Sequence, residues 1–231
     1  MQVADSTLGG VVTQLTQAIS LATSANNGTL NAADVKSIGS QISGILDEVQ
    51  SLANTSYQGQ YIFAGGQTST APFSTSTIAS PATTNYNGDA NINYLQTPNG
   101  QKIQLNVPGN QIFSASGANS VFGALNNLIA DYSTGTVNTT QAVNDTTALG
   151  TAMNYVSQQR VTIDNSITQV TAAGDAVTSN QTQLTVAQSN LMQADVATVS
   201  TQLSLAETQQ TALEDVITQL ESPQNSLFSK M

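Results

Sequence analysis

The chain has 231 residues, of which 39% are hydrophobic and only 8% are charged, and it contains no Cys, His or Trp. Its formal net charge of −10 comes from four basic and 14 acidic residues, too few cations for a phosphate-binding surface, which excludes nucleic acid as a partner. The lack of Cys and His removes disulfides, the commonest general base and the commonest metal ligand. We therefore expect no enzyme activity, no cofactor and no metal site.

Two amphipathic helices are predicted at the start, because apolar residues recur at alternating spacings of three and four. The first helix would be capped by Asp5 or Ser6 and would end at Asn26-Asn27-Gly28, since glycine suits the left-handed position after a helix. Its predicted apolar face is Leu8, Val12, Leu15, Ile19 and Ala22. The predicted face of the second helix is Val35, Ile38, Ile42, Ile45, Val49 and Leu52.

The composition then changes to one that is typical of β structure. Five of the eleven aromatic residues and four of the five prolines lie between Tyr61 and Pro108. Alternating apolar residues on both sides of Pro98-Asn99-Gly100 predict a β-hairpin. Gly65-Gly66 is interpreted as a strand end, and Asp89 as part of a turn, although Asp89 and its neighbouring asparagines faintly resemble a calcium loop.

A long helix is predicted from about Thr140, with a possible break near Gly150, because no proline occurs between Pro108 and Pro223. Apolar residues occupy every seventh position of a first row, which we call the proximal row: Val156, Ile163, Val170, Val177, Leu184 and Leu191. After a one-residue shift of phase a second row follows, which we call the distal stripe: Val199, Leu203, Ala206, Leu213, Ile217 and Leu220. The spacing is close to that of a coiled coil. No apolar run in the sequence is long enough to predict a membrane span.

Such a helix has to be covered by other long helices, from this chain or from its neighbours. We assign packing between subunits to the distal stripe together with Leu227 and Phe228 in the C-terminal tail. The adjacent acidic pairs Asp47-Glu48 and Glu214-Asp215 point about 100° apart on a helix, so each is interpreted as a solvated helix face. Arg160 is expected to pair within the chain, with Asp47 or Asp164, or else to contact another subunit.

Several strings of residues resemble the hook-associated junction proteins of bacterial flagella (the hook-associated protein 3 family), which are relatives of flagellin. The most specific string is Gln60-Tyr61-Ile62-Phe63-Ala64-Gly65, followed by Ala71-Pro72-Phe73 and preceded by Ser51-Leu52-Ala53-Asn54. A second match lies near the C-terminus: Gln193 to Ala197, Gln202 to Gln209, and Ser226-Leu227-Phe228. The resemblance covers essentially the whole chain, in order.

The resemblance implies a structural protein that joins hook and filament and is exported to the extracellular flagellum without a cleaved signal peptide. It also implies its partners: its own copies in a ring, the other hook-associated junction protein, flagellin, and an export chaperone. Members of the family begin with a further N-terminal segment and helix, which we expect to be missing here. The distal stripe is then expected to fray in the isolated monomer.

The predicted fold class is mainly α, an elongated helical bundle or coiled coil with a small inserted β-rich domain. The predicted divisions are a helical hairpin at 1–58, the β-rich insertion at 59–118, return helices at 119–193, and a C-terminal helix and tail at 194–231. Three alternatives remain open from the sequence: flagellin itself, a flagellin-like protein with an enzymatic insertion, and a trimeric coiled-coil adhesin.

Overall fold

The computed structural model describes residues 1–76, 83–115 and 120–221, and the fold is mainly α, as predicted. The chain divides into two units, Met1–Ala173 and Gly174–Met231. The helices are α1 (Gln2–Asn26), α2 (Ala32–Ala53), α3 (Gly109–Ile112), α4 (Val121–Ser133) and α5 (Thr139–Glu221). Helix α5 continues through Gly150, so the break predicted near that residue is absent from the helix. Its residues belong to both units, because the division falls between Ala173 and Gly174.

The two N-terminal helices are joined by a short connection with well-defined ends. Helix α1 ends at Asn26 as predicted, and Gly28 takes a left-handed conformation with φ of +70°. The Asn31 side chain caps α2 by accepting hydrogen bonds from the backbone N–H groups of Ala33 and Asp34, at 2.9 and 3.0 Å. The predicted N-cap of α1 was wrong, because α1 begins at Gln2 and Asp5 lies within its first turn.

Asp5 instead forms an ion pair with Arg160 of α5, in which Nε of Arg160 donates to Oδ1 of Asp5 at 2.8 Å. The predicted pairing of Arg160 within the chain is confirmed, but its partner is Asp5 and not Asp47 or Asp164, although Asp164 does add to the electrostatic stabilisation of its charge. The Arg160 guanidinium lies 3.6 Å from the position that a Cβ on Gly9 would take. A small residue at that position lets the planar guanidinium lie against α1.

The core of the first unit is a bundle of α1, α2, α4 and the first part of α5. Helix α2 buries Val35, Ile38, Ile42, Ile45 and Val49, as the spacing predicted. Helix α1 buries a face turned slightly from the predicted one: Leu8, Val11, Leu15, Ala18, Ala22 and Ala25. The reason is that small alanines on α1 allow close packing, which a pattern built on large apolar residues does not identify.

Within the part of the chain that the structure describes, the β structure consists of three separate two-stranded antiparallel pairs. Strand β1 (Ser56–Tyr57) pairs with β2 (Gln60–Tyr61), and β3 (Phe73–Ser76) pairs with β4 (Thr83–Tyr86). The hairpin predicted around Asn99-Gly100 is confirmed, with β5 (Tyr94–Gln96) paired to β6 (Lys102–Gln104).

Four phenylalanines attach this β region to the helices. The ring centroid of Phe73 lies 5.4 Å from that of Phe113 and 5.0 Å from that of Phe122 in α4. The ring centroids of Phe63 and Phe113 are 5.3 Å apart, and the two rings are nearly perpendicular. These spacings are typical of favourable aromatic pairs. Because all four residues belong to the same buried cluster as the helical core, strand β3 and the segment after β2 share one core with the bundle.

Asp89 holds the segment that follows β2. Its Oδ1 accepts hydrogen bonds from the backbone N–H groups of Gly66, at 2.6 Å, and Asn91, at 3.0 Å. These donors, first of all Gly66, lower the pKa of the Asp89 carboxyl below its ordinary value. The Tyr86 hydroxyl completes the connection by donating to the carbonyl oxygens of Phe63 and Asp89. The interpretation of Asp89 as a turn residue is thus confirmed.

Candidate assembly interface

The second unit presents an unusually exposed helix. Each side chain between residues 174 and 220 is exposed, apart from Ser189, which is half-buried. A soluble helix normally buries one apolar face, and a helix that exposes large apolar residues along its length marks an interaction surface. This segment of α5 is therefore the candidate functional site.

The proximal row passes from buried to exposed along the sequence. Val156 is 0% exposed and Ile163 is 4% exposed, whereas Leu184 and Leu191 are 70% and 73% exposed. The heptad spacing stays the same along the row, and only its environment changes. Residues that take the same positions of the repeat are therefore core residues in the first unit and surface residues in the second.

The distal stripe is exposed throughout. Its members recur at intervals of three, four or seven residues along α5: Val199, Leu203, Ala206, Leu213, Ile217 and Leu220. The other two residues assigned to subunit packing, Leu227 and Phe228, lie outside the described residues. The helical spacing of the six places them on one side of α5, which is the geometry that a partner helix requires.

Sequence reasoning missed two exposed apolar residues that lie off this stripe. Val186 and Leu205 are more than half exposed and do not follow the spacing of either row. Leu205 is two positions from Leu203, which places it about 200° around the helix. No repeat identified these residues, because their positions fall outside the spacing of both rows.

The charges of the second unit are all of one sign in its described part. Its ionisable side chains are acidic: Asp175, Asp195, Glu207, Glu214, Asp215 and Glu221. Along the sequence, Arg160 and Lys230 are consecutive basic residues, with neither Lys nor Arg between them. The apolar stripe is therefore bordered by polar amides, hydroxyls and a few carboxylates.

A cluster of polar side chains lies inside the first unit, between α4 and α5. Asp145 is only 7% exposed, and its two carboxylate oxygens accept hydrogen bonds from Gln141, at 2.8 Å, and Asn127, at 3.3 Å. Oδ2 of Asp131 is buried and has no hydrogen-bond partner among the described residues. Burial, followed by the neighbouring Asp145 carboxylate, raises the pKa of Asp131 to about 6.

Replacing Asp131 with asparagine is expected to stabilise the first unit at about pH 8 and to have little effect near pH 3, where the carboxyl is protonated in both the folded and the unfolded chain. The folded state binds the Asp131 proton more tightly than the unfolded chain, so stability is lost as the pH rises from about 4 through 6. With a discount for partial exposure, the gain is about 1 kcal/mol. Thermal unfolding across this pH range would measure it, with the exposed Asp47→Asn variant as a control for lost charge. Equal gains at both pH values would contradict it.

The described residues, 1–76, 83–115 and 120–221, contain no group of three or more acidic side chains placed to hold a metal ion. Within the same ranges, none of the helices combines the length and the apolar character needed to cross a membrane.

Comparison with known proteins finds flagellar proteins among those to which this chain is similar. Residues 1–68 match the family described as the bacterial flagellin N-terminal helical region. Flagellar hook-associated protein 3 of Salmonella typhimurium is 35% identical over 116 residues, which are 48% of this chain and 35% of the relative. The same protein of Escherichia coli K12 is 34% identical over 118 residues, 51% of this chain and 35% of the relative.

The chain is similar to flagellar hook-associated protein 3. The resemblance stated from the sequence is therefore confirmed. Each match spans about a third of the length of these curated relatives, namely 35%.

Solved structures show the same fold. A putative flagellar hook-associated protein from Vibrio parahaemolyticus is 19% identical with a TM-score of 0.67, covering 77% of this chain and 79% of that one. The flagellar hook associated protein-3 of Legionella pneumophila is 14% identical with a TM-score of 0.65, covering 83% and 93%. The mainly α fold with small β pairs is thus shared with hook-associated proteins.

The exposed part of α5 is expected to exchange its amide hydrogens much faster than the bundle. A helix without buried packing depends on local propensity alone, which gives marginal stability in water. Hydrogen exchange of the monomer should show little protection beyond residue 195 and strong protection at Val156 and Ile163. Strong protection of the distal stripe in the monomer would contradict the expected fraying.

Proposed function

We propose that this chain is a structural component of the bacterial flagellum that joins the hook to the filament through helix packing between subunits. The observation that carries the proposal is the exposed distal stripe, in a chain that is similar to hook-associated protein 3. A surface of this kind is unfavourable in water and becomes favourable when a neighbouring helix covers it.

The proposed mechanism is lateral burial of apolar side chains, with no chemical step. Fully burying one Val, Leu or Ile side chain contributes about 1.5–3 kcal/mol. Five such residues on the distal stripe therefore offer enough free energy to offset part of the cost of association. We assign the site to Val199, Leu203, Ala206, Leu213, Ile217 and Leu220, and extend it to Leu227 and Phe228 in the tail.

The proposed partners follow from the junction role. They are copies of the chain arranged in a ring, the other hook-associated junction protein, flagellin, and an export chaperone that covers the exposed helix before assembly. The proposed location is the extracellular flagellum, reached by export without a cleaved signal peptide. We propose no enzymatic activity, because the curated relatives are hook-associated proteins and the chain has no His or Cys.

The second candidate function is that of a filament subunit. The match of residues 1–68 to the flagellin N-terminal helical region favours it, since that region is named for flagellin. The two functions differ in self-association, because a filament subunit polymerises alone into long filaments. Sedimentation and electron microscopy of the purified protein would distinguish them. Long filaments formed without other proteins would replace the junction proposal.

The decisive test is complementation of a strain that lacks hook-associated protein 3, using the complete gene that encodes this chain. Restored motility, with filaments attached to hooks, is the expected result. Restoration in a flagellin-null strain instead would favour the filament subunit. Failure in both strains, with the protein exported and present at normal levels, would overturn the proposed function.

A further inference from the structure

Three Asn-Gly dipeptides occur in the sequence, at Asn27-Gly28, Asn87-Gly88 and Asn99-Gly100. Asparagine followed by glycine is prone to spontaneous deamidation, because glycine has no side chain to block attack by its backbone nitrogen. The sequence gives all three the same intrinsic reactivity. Their surroundings in the fold differ.

Two of the three are held by the structure. The Asn87 side chain donates to the hydroxyl of Ser74 at 3.0 Å, and a Cβ on Gly88 would meet the Tyr86 hydroxyl at 2.5 Å. At the hairpin turn, the Asn99 side-chain carbonyl accepts from the Thr97 hydroxyl, and the Gly100 N–H donates to the Thr97 carbonyl at 2.9 Å. Each of these hydrogen bonds has to break before the asparagine side chain can reach the backbone nitrogen of the following glycine.

The Asn27-Gly28 pair has none of these restraints. Both residues are exposed, and nothing lies within 4 Å of the position that a Cβ on Gly28 would take. Among the described residues, neither the Asn27 side chain nor the Gly28 N–H has a hydrogen-bond partner. The pair also lies just beyond the end of α1, where helices fray.

We propose that Asn27 is a site of spontaneous deamidation in the folded protein, whereas Asn87 and Asn99 are protected. The deprotonated backbone nitrogen of Gly28 attacks Cγ of Asn27, a new N–Cγ bond closes a succinimide ring, and the Cγ–Nδ2 bond breaks. Nδ2 leaves as ammonia after taking a proton from water. One water molecule then opens the ring, at Cγ to give aspartate or at the backbone carbonyl to give isoaspartate.

The modification changes the connection between α1 and α2. A carboxylate appears at the C-terminal end of α1, where the helix dipole already presents negative partial charge. Isoaspartate also inserts an extra backbone atom between the two helices. The exposed position admits both products without steric conflict, so the modified protein is expected to stay folded with a slightly lower melting temperature.

The test compares the three sites in folded and in urea-denatured protein, incubated at mildly alkaline pH and analysed by peptide mapping with mass spectrometry. In urea all three should react at similar rates. In the folded protein Asn87 and Asn99 should slow by more than about tenfold, whereas Asn27 should keep most of its denatured rate. Asn27→Gln should abolish the product at that peptide alone. Equal protection at all three sites, or fastest reaction at Asn99, would overturn the proposal.

Discussion

Replacing both Leu203 and Ile217 with aspartate is expected to abolish motility while leaving the fold of the first unit unchanged. Both side chains belong to the distal stripe and are about half exposed, so their loss removes no buried packing from the monomer. In an assembled junction, each aspartate would place an unpaired charge in an apolar interface, which costs several kcal/mol. Motility of the complemented strain, filament attachment, and thermal unfolding of the purified variant are the measurements.

The chain offers a matched control for this variant. Leu205 is 59% exposed and Val186 is 53% exposed, compared with 58% for Leu203 and 47% for Ile217, but neither lies on the stripe. The double variant Leu205→Asp with Val186→Asp has the same change of charge and a similar change of helix propensity. It should keep substantial motility. Equal loss in both variants would contradict the assignment of the interface to the distal stripe.

Gly65→Ala is expected to destabilise the first unit by about 2–4 kcal/mol. Gly65 has φ of +67°, a left-handed conformation that costs a residue with a Cβ about 1–2 kcal/mol. The added Cβ would also collide with the backbone carbonyl and the carboxylate of Asp89. Asp89 is hydrogen-bonded to the segment that follows Phe63. A shift of Asp89 that relieves the collision is therefore expected to disturb the aromatic cluster that contains Phe63. Chemical denaturation followed by circular dichroism would measure the loss.

Gly59→Ala separates the two causes. Gly59 also has a positive φ, of +78°, but nothing lies within 4 Å of its Cβ position. This control should lose only the backbone contribution, about 1–2 kcal/mol. If both alanine substitutions lowered the free energy of unfolding by the same amount, the contact with Asp89 would contribute nothing to stability.

Helical periodicity identified the bundle because its signal is long and local. The apolar face of α2 and the proximal row were predicted from spacing alone. The α2 face is buried as predicted, and so are the members of the proximal row that lie at the start of α5. After a one-residue shift of phase a helical spacing continues to Leu220, so the sequence indicated α5 as the candidate interface. Which copies or partners cover it depends on molecules outside the chain, and the stripe remains a proposed site.

Contacts between distant residues were the part that the sequence did not reveal. Asp5 and Arg160 are 155 positions apart, and no local rule connects them. The proximity of Asp131 and Asp145 likewise results from the packing of α4 on α5. Gly65 was interpreted as a strand end, whereas its positive φ and its contact with Asp89 depend on a segment more than twenty residues away.

The absence of Lys and Arg from positions 161–229 also determines which proteases can cleave this part of the chain. A trypsin-like enzyme cleaves after basic residues, so it has no cleavage site in the exposed part of α5, however often that helix opens. Resistance to trypsin there would reflect composition alone. An enzyme that cleaves beside leucine, such as thermolysin, meets exposed substrates at Leu184, Leu191 and Leu203. Its cleavage rate would report directly how much of the second unit is shielded before and after assembly.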